Sequence, residues 1–187
     1  MATDEELFHA WQNGNADALA TLVQRYYAPL MAHLYRLLGD AHLAEDLVQE
    51  TFFRLMRYAH SYRYPHPFVP WLYRIARNLA HTYQKSAYHL SVDLVANPPE
   101  TGIDDANPQT WVERQELHTD LLGALARLSL EQREVLSLRF GQGLSVKETA
   151  EVLNVPIGTI KSRTFSALRL LRTSLEPASL SQTERSS

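Results

Sequence analysis

The chain has 187 residues, 45% of them hydrophobic, and a formal net charge of −3, a size that suits one or two small domains. It has no cysteine, which excludes disulfides and thiolate zinc sites and fits a reducing compartment. No apolar run approaches a membrane span, no charged-then-apolar leader is visible, and the eight histidines lack ligand spacing. The expectation is therefore no membrane insertion, no secretion signal, no metal and no cofactor.

Charge is unevenly spread. Residues 1–86 carry eight basic and eight acidic groups, residues 87–115 carry one basic and five acidic, and residues 116–175 carry eight basic and six acidic. The acid sits in the middle of the chain, so the negative total does not exclude a nucleic-acid partner for the flanking parts.

In chain order, residues 5–11 and 16–38 read as helices. Leu19, Leu22, Val23, Tyr26, Tyr27, Leu30 and Leu34 recur at helical spacing, and Pro29 is expected to kink or split the second helix. Gly39 is the expected C-cap and Asp40 the N-cap of the next segment. That segment, 41–58, is two-faced, with Leu43, Leu47, Val48, Phe52, Leu55 and Met56 as the buried stripe. Glu45, Asp46, Gln49, Glu50 and Arg57 point elsewhere. On spacing alone they form an ordinary solvated face.

Residues 61–70 read as a loop from their prolines. Residues 71–85 read as a helix with Trp71, Leu72, Ile75, Ala76 and Leu79 inward and Arg74, Arg77, Asn78 and Lys85 outward. Tyr62, Arg63, Tyr64, His66 and Phe68 gather around the loop. Cations for phosphate and flat rings for bases are what a melted strand needs, yet an aromatic cluster beside a helix is equally a core. Both readings of Tyr62, Tyr64 and Phe68 stay open.

Residues 87–113 combine Pro98-Pro99, Pro108, Gly102 and acidic charge, the features of a tether. Residues 116–127 are amphipathic through Leu117, Leu121, Leu122 and Leu125. Ser129 with Gln132 is a capping box before a helix over 130–140, which Gly141 and Gly143 end. Ser145 with Glu148 is another, opening a short helix that Asn154-Val155-Pro156 terminates.

In the helix that follows, Ile160, Thr164, Ala167, Leu168 and Leu171 share one face. Thr159, Ser162, Arg163 and Ser166 share the other, flanked by Lys161, Arg169 and Arg172. Residues 155–172 hold four basic groups and no acidic one. A short helix, a tight turn and a second helix with a polar, basic first turn is the layout of a helix-turn-helix. A helical hairpin with a solvated basic face has the same spacing. The tail 176–187 is polar and expected to fray.

The wording of three stretches narrows these readings. Residues 128–172, with Gly158-Thr159-Ile160-Lys161-Ser162-Arg163 as the most specific piece, resemble the promoter-recognition (sigma-four) domain of sigma-70 family factors. Asp46-Leu47-Val48-Gln49-Glu50-Thr51-Phe52 resembles the segment of that family which docks on the β′ clamp helices of RNA polymerase. Trp71-Leu72-Tyr73-Arg74-Ile75-Ala76-Arg77-Asn78 resembles the element which opens and reads the minus-ten region.

The resemblance implies an all-α protein of two small helical domains joined by an acidic flexible linker, as in the extracytoplasmic-function (ECF, group 4) sigma factors. The implied divisions are a sigma-two domain over 1–86, a linker over 87–115, a sigma-four helix-turn-helix domain over 116–175 and a tail over 176–187. Polymerase binding falls to Asp46, Gln49 and Glu50. Minus-ten DNA falls to Arg63, Tyr64, Trp71, Arg74, Arg77, Asn78 and Lys85, and minus-thirty-five DNA to Thr159, Lys161, Ser162, Arg163, Ser166 and Arg169. The implied partners are core RNA polymerase (β′ clamp helices and β flap), promoter DNA and an anti-sigma factor. The implied protein is a cytoplasmic non-enzyme, with the nucleoid when active and held at the membrane when an anti-sigma factor binds it.

The chain departs from the family at residues 79–85, in the proline-rich loop, and at Ser166, where many relatives have arginine. Two other classes frame the reading. A free-standing helix-turn-helix regulator accounts for residues 145–172 only. An all-helical enzyme would rest on Asp46 and Glu50, with no histidine, cysteine or glycine-rich motif beside them.

Overall fold

Local capping chemistry sets most of the helix ends. The computed structural model describes residues 2–90, 123–125 and 127–175, and no strand occurs among them. Helix α1, Asp4–Gln12, opens on a capping box between Thr3 and Glu6. Helix α2, Ala16–Leu38, starts at Asn15, whose side chain accepts from the amides of Asp17 and Ala18. It ends at Gly39, whose φ of 73° is the left-handed cap that glycine adopts without a Cβ penalty. Pro29 lies inside α2 without splitting it. The helix buries Leu22, Leu30, Leu34 and Leu37, and that burial outweighs a proline cost of about 3 kcal/mol.

Helix α3, Ala41–Arg57, begins where the Asp40 carboxylate accepts from the Leu43 amide at 3.0 Å. Its buried stripe is Ala44, Leu47, Val48, Thr51, Phe52 and Leu55. Met56, expected inside, is 42% exposed. Successive residues turn by about 100°, which carries position 56 beyond the edge of the stripe and brings Thr51 into it. The Thr51 hydroxyl is satisfied there by the Leu47 carbonyl at 2.6 Å.

A short 3-10 turn, Ala59–Ser61, leads to helix α4, Phe68–Leu90. The loop is thus shorter than the prolines suggest. Pro70 falls in the first turn of α4, where its missing N–H is not needed, and the Glu5 carboxylate caps the Phe68 amide at 2.9 Å. The rings divide cleanly. Tyr62 and Phe68 are buried, whereas Tyr64 is 48% exposed. Phe8 is the hub, with ring centroids 4.9 Å from Tyr62, 5.2 Å from Phe68 and 5.3 Å from Trp71.

In the carboxy-terminal unit residues 123–125 are helical, and helix α5, Leu130–Leu136, follows the Ser129–Gln132 capping box. The helix expected over 130–140 changes character at Ser137–Gly141, which forms a π turn. Helix α6, Val146–Leu153, follows the Ser145–Glu148 box, whose hydrogen bonds from Ser145 hold the Glu148 carboxyl below its ordinary range. Asn154 ends it in left-handed geometry, φ 52°. Helix α7, Ile157–Leu175, completes the chain's described part. Ile160 and Ala167 are fully buried, but Leu168, expected on that face, is 45% exposed.

Helix α4 continues to Leu90, so the first residues expected in the linker are helical. The rest of the linker, residues 116–122 of the expected amphipathic helix, and the tail 176–187 lie outside the described residues. One apolar core runs through both units. Leu22, Leu34, Leu55 and Leu72 belong to the same cluster as Val135, Leu138, Leu153 and Ile160. Helix α2 packs on α5 and α4 packs on α6. No helix among the described residues is long and apolar enough to cross a membrane.

Candidate nucleic-acid and polymerase interface

Asp46, Gln49 and Glu50, the residues expected to meet polymerase, lie on α3. Its buried stripe points Asp46 and Gln49 into solvent and leaves Glu50 half-exposed. Glu50 accepts from Arg54 Nε at 2.7 Å, one turn along the same helix. Both groups stay wet, so this pair orders the side chain more than it stabilises the fold. The three residues form an accessible polar strip that a basic partner can meet without unfolding anything.

The minus-ten candidates are spread over the loop and α4. Arg63 and Tyr64 are exposed, and Tyr64 stacks on His9 with centroids 4.8 Å apart. Trp71 is half-buried in the Phe8 cluster. Ser61, Tyr62, Arg63, His66, Trp71, Arg74 and Glu151 line a cleft of about 260 Å3. Asn78 is exposed, and Lys85 lies in α4.

Arg74 and Arg77, expected on the outer face, are instead engaged by the carboxy-terminal unit. Arg74 Nη2 donates to the Glu151 carbonyl at 2.8 Å and lies 3.7 Å from its carboxylate. Arg77 Nε donates to Glu134 Oε1 at 3.2 Å, and His81 Nε2 reaches the same oxygen at 2.5 Å. Glu134 has no exposed surface, and its Oε2 has no partner among the described residues. Its position was readable as a carboxylate one turn from both Leu130 and Leu138 on an apolar stripe, a charge that needs a distant partner.

Further polar contacts join the two units. Tyr73 donates to Gln142 Oε1 at 2.6 Å, and Gln142 donates to the Pro29 carbonyl at 3.2 Å. His33 Nδ1 lies 2.8 Å from Ser137 Oγ. Burial, with Arg36 adding to it, pushes the His33 imidazole down to about 3, so the ring is neutral.

On α7, Lys161, Ser162 and Arg169 are exposed, while Thr159 and Arg163 are half-exposed. Ser166 is turned partly inward, where its hydroxyl accepts from Gln132 Nε2 at 3.1 Å. Phe165, absent from the expected set, is 69% exposed. It lies one turn from both Lys161 and Arg169, so an apolar ring stands among the cations. Helical spacing alone sets position 165 away from Ile160 and Ala167, a signal the sequence reading left unused.

Two family descriptions match this architecture in the same order. Sigma-70 region 2 matches residues 22–88, and Sigma-70 region 4 matches residues 124–173. The ECF RNA polymerase sigma factor SigW of Bacillus subtilis is 32% identical over 88% of this chain and 92% of its own length. The chain belongs to the ECF sigma factors of the sigma-70 family.

Another relative, the ECF sigma factor BldN of Streptomyces coelicolor, is 37% identical, and the chain spans 63% of its length. Among solved structures, CnrH in complex with the cytosolic domain of CnrY superimposes with a TM-score of 0.68 at 22% identity, covering 91% of this chain and 95% of that one, which supports the fold. The sigma factor RpoE of Bartonella quintana, solved with the anti-sigma factor NepR, has a TM-score of 0.64 at 26% identity and covers 84% of this chain and 98% of that one.

Proposed function

We propose that this sigma factor binds core RNA polymerase and directs transcription to a promoter class through two separate DNA-reading surfaces. The observation that carries this reading is the pairing, in one chain, of a region 2 match with a region 4 match. A helix-turn-helix regulator accounts for only the second. The work divides by chain position: residues 1–86 dock on polymerase and engage the minus-ten element, residues 87–115 span between, and residues 116–175 read the minus-thirty-five element. No catalytic role is assigned, and the cytoplasm is the proposed compartment.

Asp46, Gln49 and Glu50 dock on the β′ clamp helices, where carboxylates and an amide meet basic side chains. Arg63, Arg74, Arg77 and Lys85 bind phosphate near the minus-ten element, Asn78 hydrogen-bonds there, and Tyr64 and Trp71 offer faces to unstacked bases. Thr159, Ser162 and Arg163 face the major groove of the minus-thirty-five element, with Ser166 at the inner edge of that face where Gln132 holds its hydroxyl, while Lys161 and Arg169 bind its phosphates. The carboxy-terminal unit also meets the β flap. An anti-sigma factor is the proposed regulator, in keeping with the RpoE–NepR complex named above.

The test is reconstitution of core polymerase with the purified chain, followed by sequencing of the transcripts. New start sites sharing upstream elements are expected. A free-standing regulator would instead bind duplex DNA tightly without polymerase and create no start sites, and that outcome would overturn the proposal.

A further inference from the structure

We propose that α1 is the template for the loop at residues 59–68, with Glu5, His9 and Gln12 as positioning residues. They fix the loop so that Tyr64 rests one ring face on His9 and offers the other to an extruded base. The proposal rests on the minus-ten role given above to Tyr64.

Helix α1 lies outside the region 2 match, which begins at residue 22, yet it meets the loop at both ends and at its tip. Glu5, Phe8, His9 and Gln12 follow the spacing i, i+3, i+4 and i+7, which puts them on one face of a helix. Gln12 Nε2 donates to the Ala59 carbonyl at 2.7 Å, at the start of the loop. The Glu5 carboxylate accepts from the Phe68 amide at 2.9 Å, at its end. Between these two contacts Phe8 packs on Tyr62 and Phe68, and His9 stacks on Tyr64 with an interplanar angle of 22°.

The template is itself held. Phe8 is fully buried, and the Asp4 carboxylate accepts from both Arg25 and Tyr26 of α2. Asn13 Nδ2 donates to the His9 carbonyl at 2.9 Å and lies 3.3 Å from the ring Nε2, which orients the imidazole. Rigidity therefore passes from α2 through α1 to the ring of Tyr64. Within the loop, the Arg63 carbonyl accepts from the His66 amide at 2.8 Å and the His66 carbonyl from the Tyr62 hydroxyl. Those bonds set the shape of the turn, and the α1 contacts set where it points.

The exposure of Tyr64 has a use in this arrangement. A near-parallel stack covers one face of a ring and leaves the opposite face open, and Tyr64 remains 48% exposed. Stacking on aromatic side chains is a main source of affinity for unstacked bases. A ring already fixed in place loses less conformational freedom when the base arrives. Arg63, its neighbour at the exposed tip, brings a cation to the same strand.

Hydrogen exchange in the free full-length chain reads the template directly. His9→Ala with Gln12→Ala, both at exposed positions, should speed amide exchange across residues 59–68 about tenfold and leave residues 146–153 unchanged. The consequence is read in polymerase reconstituted with the chain, using 2-aminopurine placed singly at each minus-ten position of a promoter recovered from the reconstitution above. One position should be quenched by Tyr64, and Tyr64→Ala should raise its fluorescence about twofold. His9→Ala should raise the signal at that same position and no other, and His9→Phe, which keeps a ring against Tyr64, should restore the quench. Gln24→Ala, at an exposed position of α2, should change neither measurement. Wild-type loop exchange in the folded double variant would overturn the proposal, as would a probe signal that His9→Ala leaves unchanged at every position. The exchange measurement needs neither polymerase nor promoter. Absence of transcription with the wild-type chain would therefore count against the sigma-factor reading and not against the template.

Discussion

The aromatic core around Phe8 and the seam between the two units are both buried, but they are built from different chemistry. Phe8, Tyr62, Phe68 and Trp71 meet ring to ring within about 6.3 Å, in tilted and edge-on geometries. Such contacts add to a large apolar burial and have no competitor in solution. At the seam, Glu134 is shared by Arg77 and His81, Tyr73 meets Gln142, and His33 meets Ser137. These pairs sit around an apolar core that continues from Leu72 to Leu138 and Leu153, and their polar groups are ones that water also satisfies in the unfolded chain. The first region is apolar throughout, and the second adds polar pairs to the apolar core that both units share.

The largest effect expected from breaking this comparison is in the core. Phe8→Ala should cost about 3–5 kcal/mol, read by urea unfolding of the full chain. A cost below about 1 kcal/mol would show that the ring cluster is not what anchors α1 to α4.

Helix α3 sharpens the contrast, because one helix carries both kinds of residue. Leu47→Ala should cost about 2–5 kcal/mol, since the side chain is on the buried stripe. Gln49→Ala with Glu50→Lys should leave stability within about 0.5 kcal/mol while weakening capture of core polymerase in a pull-down. Normal capture by the folded double variant would remove the docking role from these positions.

Acidity should loosen the seam before the core. His33 is neutral and fully buried, with its imidazole held down to about 3 by burial and then by Arg36. In the unfolded chain it titrates at its ordinary value near 6.5. A histidine depressed on folding contributes stability above 6.5, and that contribution is lost as pH falls from 6.5 toward 3. Between about pH 7 and 5 the wild type should therefore lose about 2 kcal/mol more than His33→Gln, measured by paired urea titrations. Equal losses in the two proteins would place the acid sensitivity elsewhere.

The same contrast explains what was legible in the sequence. Caps are local chemistry, and Asp40, Ser129 and Ser145 mark helix starts within three residues of their partners. Helical spacing likewise identifies Leu47, Val48 and Leu55 as buried, though it misplaces Met56 and Leu168 because the edge of a stripe depends on the neighbouring helix. The seam pairs residues more than fifty positions apart, such as Arg77 with Glu134. Periodicity within α4 makes Arg74 and Arg77 look solvated, since nothing nearby in sequence carries their partners. Tyr62 and Tyr64 show the same limit: two identical residues, two positions apart, are separated only by whether the ring faces Phe8.

The smallest effect expected is also the most selective, and it concerns two cations on α7. Lys161 is exposed and Arg163 half-exposed, and the proposed function gives them different parts of the DNA. A lysine on the flank of a major-groove helix meets phosphate, which is the same at every base pair. An arginine in the groove bonds guanine through two donors, and losing that pair costs about 1–3 kcal/mol against the correct base. Phe165 stands beside them with most of its surface free, able to pack on a thymine methyl. Lys161→Ala should therefore lower transcription evenly across a randomised minus-thirty-five library. Arg163→Ala should relax preference at one or two positions and leave the others intact. If Arg163→Ala lowers every sequence by the same factor, its role is phosphate binding, and base reading passes to Ser162 and Phe165.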